Sequence, residues 1–214
     1  MAITQLFFDL DGTLVDSFPG ISLSAEAALA QVLPGRKPPN FLPFIGPPIR
    51  EIFRRALPEN DFEILDRLEQ SFRTSYNAAG WRKTQTYPGV EKVLAHVCRS
   101  RYVCRVLTNK PKQPTQAILQ HLGLNRFFDE VITPDLQSPG YASKAEAAMD
   151  AQRRHALAGE QTLVVGDSAD DAAAAAACGF KFAAAAYGYG HAFETCDSPV
   201  HFRLERIEDL LQIL

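Results

Sequence analysis

An apolar run near the N-terminus, Ile3-Thr4-Gln5-Leu6-Phe7-Phe8, stops on Asp9-Leu10-Asp11-Gly12-Thr13. A short run dense in large apolar side chains and closed by a turn signal reads as a buried strand. Its end carries two carboxylates at i and i+2, which point to the same side. Ligands of open parallel sheets bind at the carboxyl ends of the strands. The feature therefore constrains the chain to an α/β sheet with acidic groups at one edge.

The remainder of the chain follows the same plan. Runs at Tyr102 to Leu107, Glu130 to Thr133 and Thr162 to Val165 alternate with helical patterns at Val90 to Arg99, Thr115 to Leu122 and Ser143 to His155. This alternation predicts a parallel sheet with helices on both faces. The alanine run from Ala172 to Ala177 follows an aspartate pair and ends at Cys178-Gly179, as a helix with a glycine C-terminus does. Ala183 to Ala186, placed between Gly179 and Gly188, is read as a short strand against its helical propensity.

Between Asp16 and about Gln85 the pattern changes. Ile21 to Val32, Ile49 to Ala56 and Asp61 to Ala78 all carry helical periodicity, broken by Pro34-Gly35, Pro38-Pro39 and Gly46-Pro47-Pro48, and Pro88-Gly89 marks the return to the sheet. The expected organisation is residues 1–15 and 86–214 as the α/β unit, with 16–85 as an all-helical insert.

A chain of 214 residues suits that size. It has no apolar run near the ~18 residues of a membrane span, and no basic segment followed by an apolar one at its start, so a cytoplasmic protein without membrane contact is expected. Cys98, Cys104, Cys178 and Cys196 form no CxxC pair and read as reduced structural thiols. The net charge is -3, with Lys and Arg dispersed, which gives no footprint for nucleic acid. A small molecule is the expected partner, and a monomer or homodimer the expected state.

Polar groups recur where the strands end. Thr108-Asn109 follows the second and Gly166-Asp167-Ser168-Ala169-Asp170-Asp171 the fourth; the helical segment after the third opens near Lys144. Each has an ordinary explanation alone: a turn, a cap, a solvated lysine, a helix N-terminus. Their order and placement together point to one site. A third aspartate beside the first two completes a hard oxygen set suited to Mg2+ rather than zinc. Such an ion would neutralise a phosphoryl group and let a carboxylate attack phosphorus, with Lys144 and the Thr108 hydroxyl stabilising the remaining charge.

The stretch from Asp9 to Ser17, Thr108-Asn109-Lys110-Pro111, Lys144, and Val165-Gly166-Asp167-Ser168 through Asp171 resemble the haloacid dehalogenase superfamily, in its phosphoglycolate phosphatase-like branch. Weaker echoes lie in Ile45 to Ile49, Tyr87 to Val90 and Gly188-Tyr189-Gly190, so the resemblance covers nearly the whole chain. It implies a Rossmann-like core with residues 16–85 as a small helical cap. Asp9 would be the nucleophile that becomes an aspartyl phosphate, and Asp11 the general acid and base. The metal ligands would be the Asp9 carboxylate, the Asp11 backbone carbonyl and Asp167, with Asp171 direct or through water. Thr108, the Asn109 backbone and Lys144 would hold the phosphoryl group. Two departures stand out: Lys144 lacks the prolines that often follow the lysine in a Lys-Pro-x-Pro pattern, standing instead in Ser143-Lys144-Ala145-Glu146, and Asp170 stands where relatives often carry another polar residue.

The activity expected is a Mg2+-dependent phosphatase acting on a small, phosphoglycolate-like phosphomonoester. A β-phosphoglucomutase-like phosphomutase, a pyrophosphatase and a nucleotidase are the alternatives on the same fold, with Thr13 favouring the hydrolase over the mutase. Asp11 argues against a dehalogenase, and a non-catalytic binding protein would be expected to have lost Asp9, Asp11, Lys144 or Asp167. Gly46 and Arg50 are the candidate specificity residues of the insert. Arg50 falls in a first helical turn, where the dipole disfavours a cation, which hints at a grip on a substrate anion; a solvated surface arginine is the alternative. Lys110 and Lys112 either steer anions or sit in a solvated loop. Trp81 and His191 read as packing or surface residues.

Overall fold

Strand β1 (Gln5–Phe8) is the centre of the molecule: it pairs in parallel with β4 (Val103–Leu107) on one side and β6 (Thr162–Gly166) on the other. The computed structural model describes residues 2–58, 61–100, 102–190 and 198–214, so Cys196 and His191 lie outside the described residues. Within them the main sheet has six strands in the order β5-β4-β1-β6-β7-β8, all parallel, with β5 (Glu130–Ile132), β7 (Lys181–Ala185) and β8 (Phe202–Leu204) completing it.

The central strand shows why such runs are apolar throughout. Leu6 and Phe8 pack into one hydrophobic cluster with α4 (Val90–Arg99) and α5 (Lys112–His121), while Phe7 packs into a second with α6 (Lys144–His155) and α7 (Ala169–Ala177). Each fully buried phenylalanine contributes roughly 2–3 kcal/mol from area removed from water, and both faces need one. The alanines of α7 are small enough to let it lie close to β6, β7 and α6; Ala172, Ala174 and Ala175 are almost fully buried. The second alanine run is strand, as expected, because Phe182 to Ala185 is buried between β6 and β8. Strand β8 carries no sequence signal of its own.

The chain leaves the sheet through β2 (Val15–Asp16) and returns through β3 (Gln85–Thr86), which pair antiparallel. Between them lie α1 (Phe18–Val32), α2 (Ile49–Ala56) and α3 (Phe62–Ala78), packed on their own cluster around Leu29, Phe41, Phe53, Leu68 and Phe72. Asp61 caps α3 by accepting from the N–H of Glu63 and Ile64.

Cys98, Cys104 and Cys178 are free thiols; burial pushes Cys104 up to about 12 and Cys178 up to about 11. Trp81 is a packing residue against the main core, its ring edge-on to His121 at 5.6 Å. Among the described residues no helix is long and apolar enough to cross a membrane.

Candidate active site

The register of the parallel strands aligns their carboxyl ends. Phe8 pairs with Val106 and Val165, and Leu107 with Ile132, so Asp9, Thr108 and Asp167 emerge side by side at one edge. Lys144, the first residue of α6, reaches the same point from the neighbouring helix. Its ammonium donates to Asp9 Oδ1 at 2.8 Å and to Asp171 Oδ1 at 2.7 Å. A cation in a first helical turn is disfavoured by the dipole, and the two carboxylates offset that cost.

One carboxylate oxygen from each of Asp9, Asp167 and Asp171 lies within 4.8 Å of the others, and all three residues are buried. Burial pushes the Asp9 carboxyl well above its ordinary range, with Lys144 pulling it down and Asp171 and Asp167 pushing it further up. Asp167 is pushed up to about 7 by burial and then by Asp171, against the N–H groups of Gly190 and Tyr189 that donate to it. Burial alone would lower the Lys144 pKa, but Asp171 and Asp9 outweigh it and hold the ammonium above its ordinary value. Three carboxylates facing one ammonium leave an excess of negative charge in a dry pocket, and the donor set is all oxygen. Those are the conditions a hard divalent cation satisfies.

Asp167 is seated by its neighbours. Its Oδ2 accepts from the N–H of Tyr189 at 2.8 Å and Gly190 at 3.0 Å, and Thr13 Oγ1 donates to Oδ1 at 3.4 Å. Gly12 has φ +86°, and a Cβ there would fall 2.1 Å from Asp167 Oδ2; one on Gly188 would fall 2.5 Å from Asp167 Cβ. Both positions need glycine for close approach and Gly12 also for its left-handed backbone. Asp171 is the third helical residue of α7, in a reciprocal capping box with Ser168.

The structure separates Asp170 from this cluster: its Oδ2 accepts from Asn109 Nδ2 at 2.8 Å. The same Asn109 amide donates to the Gly46 carbonyl of the insert at 3.3 Å. Thr108, buried, accepts the Lys110 N–H on its hydroxyl.

Asp11 is held by two residues, Ser17 and Lys110. Ser17 Oγ donates to Oδ1, and the Lys110 ammonium meets both carboxylate oxygens at 2.9 Å. Lys110 is thus a site residue rather than a solvated loop cation; burial lowers its pKa, and Asp11 more than reverses this. The signal for this role lay in its position, three residues past the end of β4 and two past Thr108. Lys112 is exposed and contributes its N–H to Asp135.

A cavity of about 300 Å3 opens over Asp9, Asp11, Thr108, Asn109 and Lys110, roofed by insert residues including Gly46, Ile49, Ile52 and Tyr76. Gly46 is therefore in the wall. Arg50 is not: it pairs with Asp66 at 2.5 Å and Glu69 at 3.4 Å and stacks over Phe62, tying α2 to α3. The cation that costs something at a helix start is repaid by carboxylates within the insert, not by a substrate.

Residues 6–185 match the family described as haloacid dehalogenase-like hydrolase. The phosphoglycolate phosphatase of Cereibacter sphaeroides is 33% identical, over 97% of this chain and 95% of its own length. Phosphoglycolate phosphatase 1 of Pseudomonas aeruginosa is 32% identical over 96% of this chain and 78% of its own. Among solved structures, a haloacid dehalogenase-like family hydrolase from Streptococcus pneumoniae superposes with a TM-score of 0.87 at 28% identity, covering 98% of this chain and 97% of that one.

Proposed function

The chain belongs to the haloacid dehalogenase-like hydrolases, and from that membership we propose that it is a Mg2+-dependent phosphatase hydrolysing a small phosphomonoester through a phosphorylated Asp9. The observation that carries the reading is the convergence of Lys144 with Asp9, Asp167 and Asp171 beneath a cavity whose floor includes Asp9. The carboxylates of Asp9 and Asp167, the Asp11 backbone carbonyl, and Asp171 directly or through water would hold Mg2+. When bound, the ion neutralises phosphoryl oxygens so that an anionic nucleophile can approach.

In the first step an Asp9 carboxylate oxygen bonds to phosphorus, the bond from phosphorus to the ester oxygen breaks, and Asp11 gives that oxygen its proton. In the second, Asp11 takes a proton from water as the water oxygen attacks phosphorus. The Asp9–phosphorus bond breaks, phosphate leaves and the Asp9 carboxylate is restored. Thr108, the Asn109 backbone and Lys144 bind the phosphoryl oxygens, and Lys110 with Ser17 orients the Asp11 carboxylate between steps. Residues 1–15 and 86–214 act as the catalytic core, with residues 16–85 as a cap that excludes water from the first step.

Release of inorganic phosphate tests this, using the purified protein, Mg2+ and a panel of esters compared by kcat/KM. The names of the relatives make phosphoglycolate the first of these, followed by sugar phosphates, nucleoside monophosphates and pyrophosphate. Turnover is expected with Mg2+ and absent in Asp9→Asn. Undiminished phosphate release in that variant, or in excess chelator, sinks the reading.

A further inference from the structure

Of the residues flanking the start of helix α1, Asp16 reaches one of its N–H groups and Ser17 reaches none. Ser17 precedes it but makes no side-chain bond to its N–H groups, having turned its hydroxyl to Asp11. The unpaired donors at the helix start need acceptors, and Tyr189, far along the chain in the loop after β7, supplies one. Its hydroxyl accepts from Ser17 N at 2.6 Å and Phe18 N at 2.9 Å and donates to Asp16 Oδ1 at 2.5 Å. Both lone pairs and the proton of the phenol are then used. Asp16 Oδ1 also accepts from Phe18 N at 3.1 Å, and the Tyr189 ring lies 6.3 Å from that of Phe18.

The other end of the same residue is in the acidic cluster, where the Tyr189 N–H donates to Asp167 Oδ2 at 2.8 Å. The exit from the sheet domain into the insert at Asp16 to Phe18 and the seat of Asp167 are therefore tied by one side chain and its own backbone. Ser17 extends the tie through its hydroxyl to Asp11.

We propose that Tyr189 is a positioning residue for the hydrolysis: its hydroxyl fixes the first turn of α1, and with it the seating of the insert over the cavity, from the loop that also holds Asp167. The kinetic consequence rests on the phosphatase reading; the conformational one does not.

Tyr189→Phe in the full chain tests it, because phenylalanine keeps the ring and the N–H to Asp167 and removes only the hydroxyl. Loss of one charge-assisted hydrogen bond predicts that amide hydrogen exchange in the first turn of α1 speeds about tenfold. By the same loss kcat on an aryl phosphate falls about tenfold with KM within about threefold, while the Kd for Mg2+ measured by calorimetry stays within about twofold. A tie that served packing alone would leave kcat unmoved. Exchange and kcat both within about twofold of the parent overturn the proposal, as does exchange that speeds while kcat holds. Should Tyr189→Phe fail to fold, Tyr189→Met decides by the same measurements, since it also removes the hydroxyl while leaving the Asp16 carboxylate on the Phe18 N–H. A parent protein that releases no phosphate from any ester would sink the phosphatase reading, and hydrogen exchange alone would then decide whether Tyr189 fixes the hinge.

Discussion

The Lys110 ammonium meets both carboxylate oxygens of Asp11 at 2.9 Å, with the Lys110 side chain 8% and the Asp11 side chain 14% exposed. A two-point, charge-assisted contact in a nearly dry site fixes the plane of a carboxylate that, in the proposed reaction, faces a leaving oxygen and later a water. Removing the lysine leaves Asp11 with Ser17 alone. Lys110→Met is expected to lower kcat at least about tenfold, the scale of a charge-assisted hydrogen bond, and to cost about 3 kcal/mol of stability, the low end for breaking a buried pair. Steady-state kinetics and denaturant unfolding check the two effects separately.

Asp170 and Asp171 are adjacent in sequence and divided in role. Asp170→Ala frees the Asn109 amide that also reaches Gly46, and leaves the acidic cluster intact. Its Mg2+ affinity is expected to stay within about twofold of the parent, while loss of a ligand or ligand-orienting group in Asp171→Ala weakens Mg2+ binding about 10- to 100-fold. Calorimetric titration of both variants is the test; equal losses contradict the division.

Gly12→Ala combines two penalties. The left-handed backbone at φ +86° costs an alanine about 1–2 kcal/mol, and the new Cβ, built 2.1 Å from Asp167 Oδ2, forces that carboxylate out of its seat. Mg2+ binding should weaken beyond the stability loss. A variant that is destabilised but binds Mg2+ as the parent does would show that Asp167 is free to relax.

The pH dependence of stability follows from Asp167. Its folded-state pKa, raised by burial and by Asp171 from an ordinary 3.8 to about 7, lies above that of the unfolded chain. Between those values the folded metal-free protein holds a proton that the unfolded chain has released. This contribution is complete at low pH and is lost as pH rises through about 7. On the proposed reading Mg2+ binds the carboxylate form, so its stabilising effect is expected to grow over the same window. Thermal unfolding across about pH 5 to 8, in chelator and in excess Mg2+, should show a difference in Tm that widens with pH. A constant or narrowing difference contradicts it.

The elements legible in advance were those with enough residues to show a period. Helices α2 and α4 run from Ile49 to Ala56 and Val90 to Arg99, the limits their apolar spacing predicts, and β1, β4, β5 and β6 lie within a few residues of theirs. Strands β2 and β3 have two residues each, too few for alternation to register, and β8 lies outside the run of alternating strand and helix patterns that places the equally short β5. Arg50 shows the limit from the other side. Its unfavourable place at a helix start was readable, but its partners Asp66 and Glu69 lie on another helix.

By itself the sequence determined the kind of sheet and the residues standing at its strand ends, because both are written locally: in apolar runs buried on two faces and in the polar residues that stop them. Only the tertiary structure decided which groups meet. Strand register sets Asp9, Thr108 and Asp167 side by side, and packing of α6 turns Lys144 onto Asp9 and Asp171. The insert lends Ser17, the turn after β4 lends Lys110 and the loop after β7 lends Tyr189 to residues six to 173 positions away. No local propensity encodes such pairings; they are fixed by the register and by the need of every buried charge and helix end for a partner.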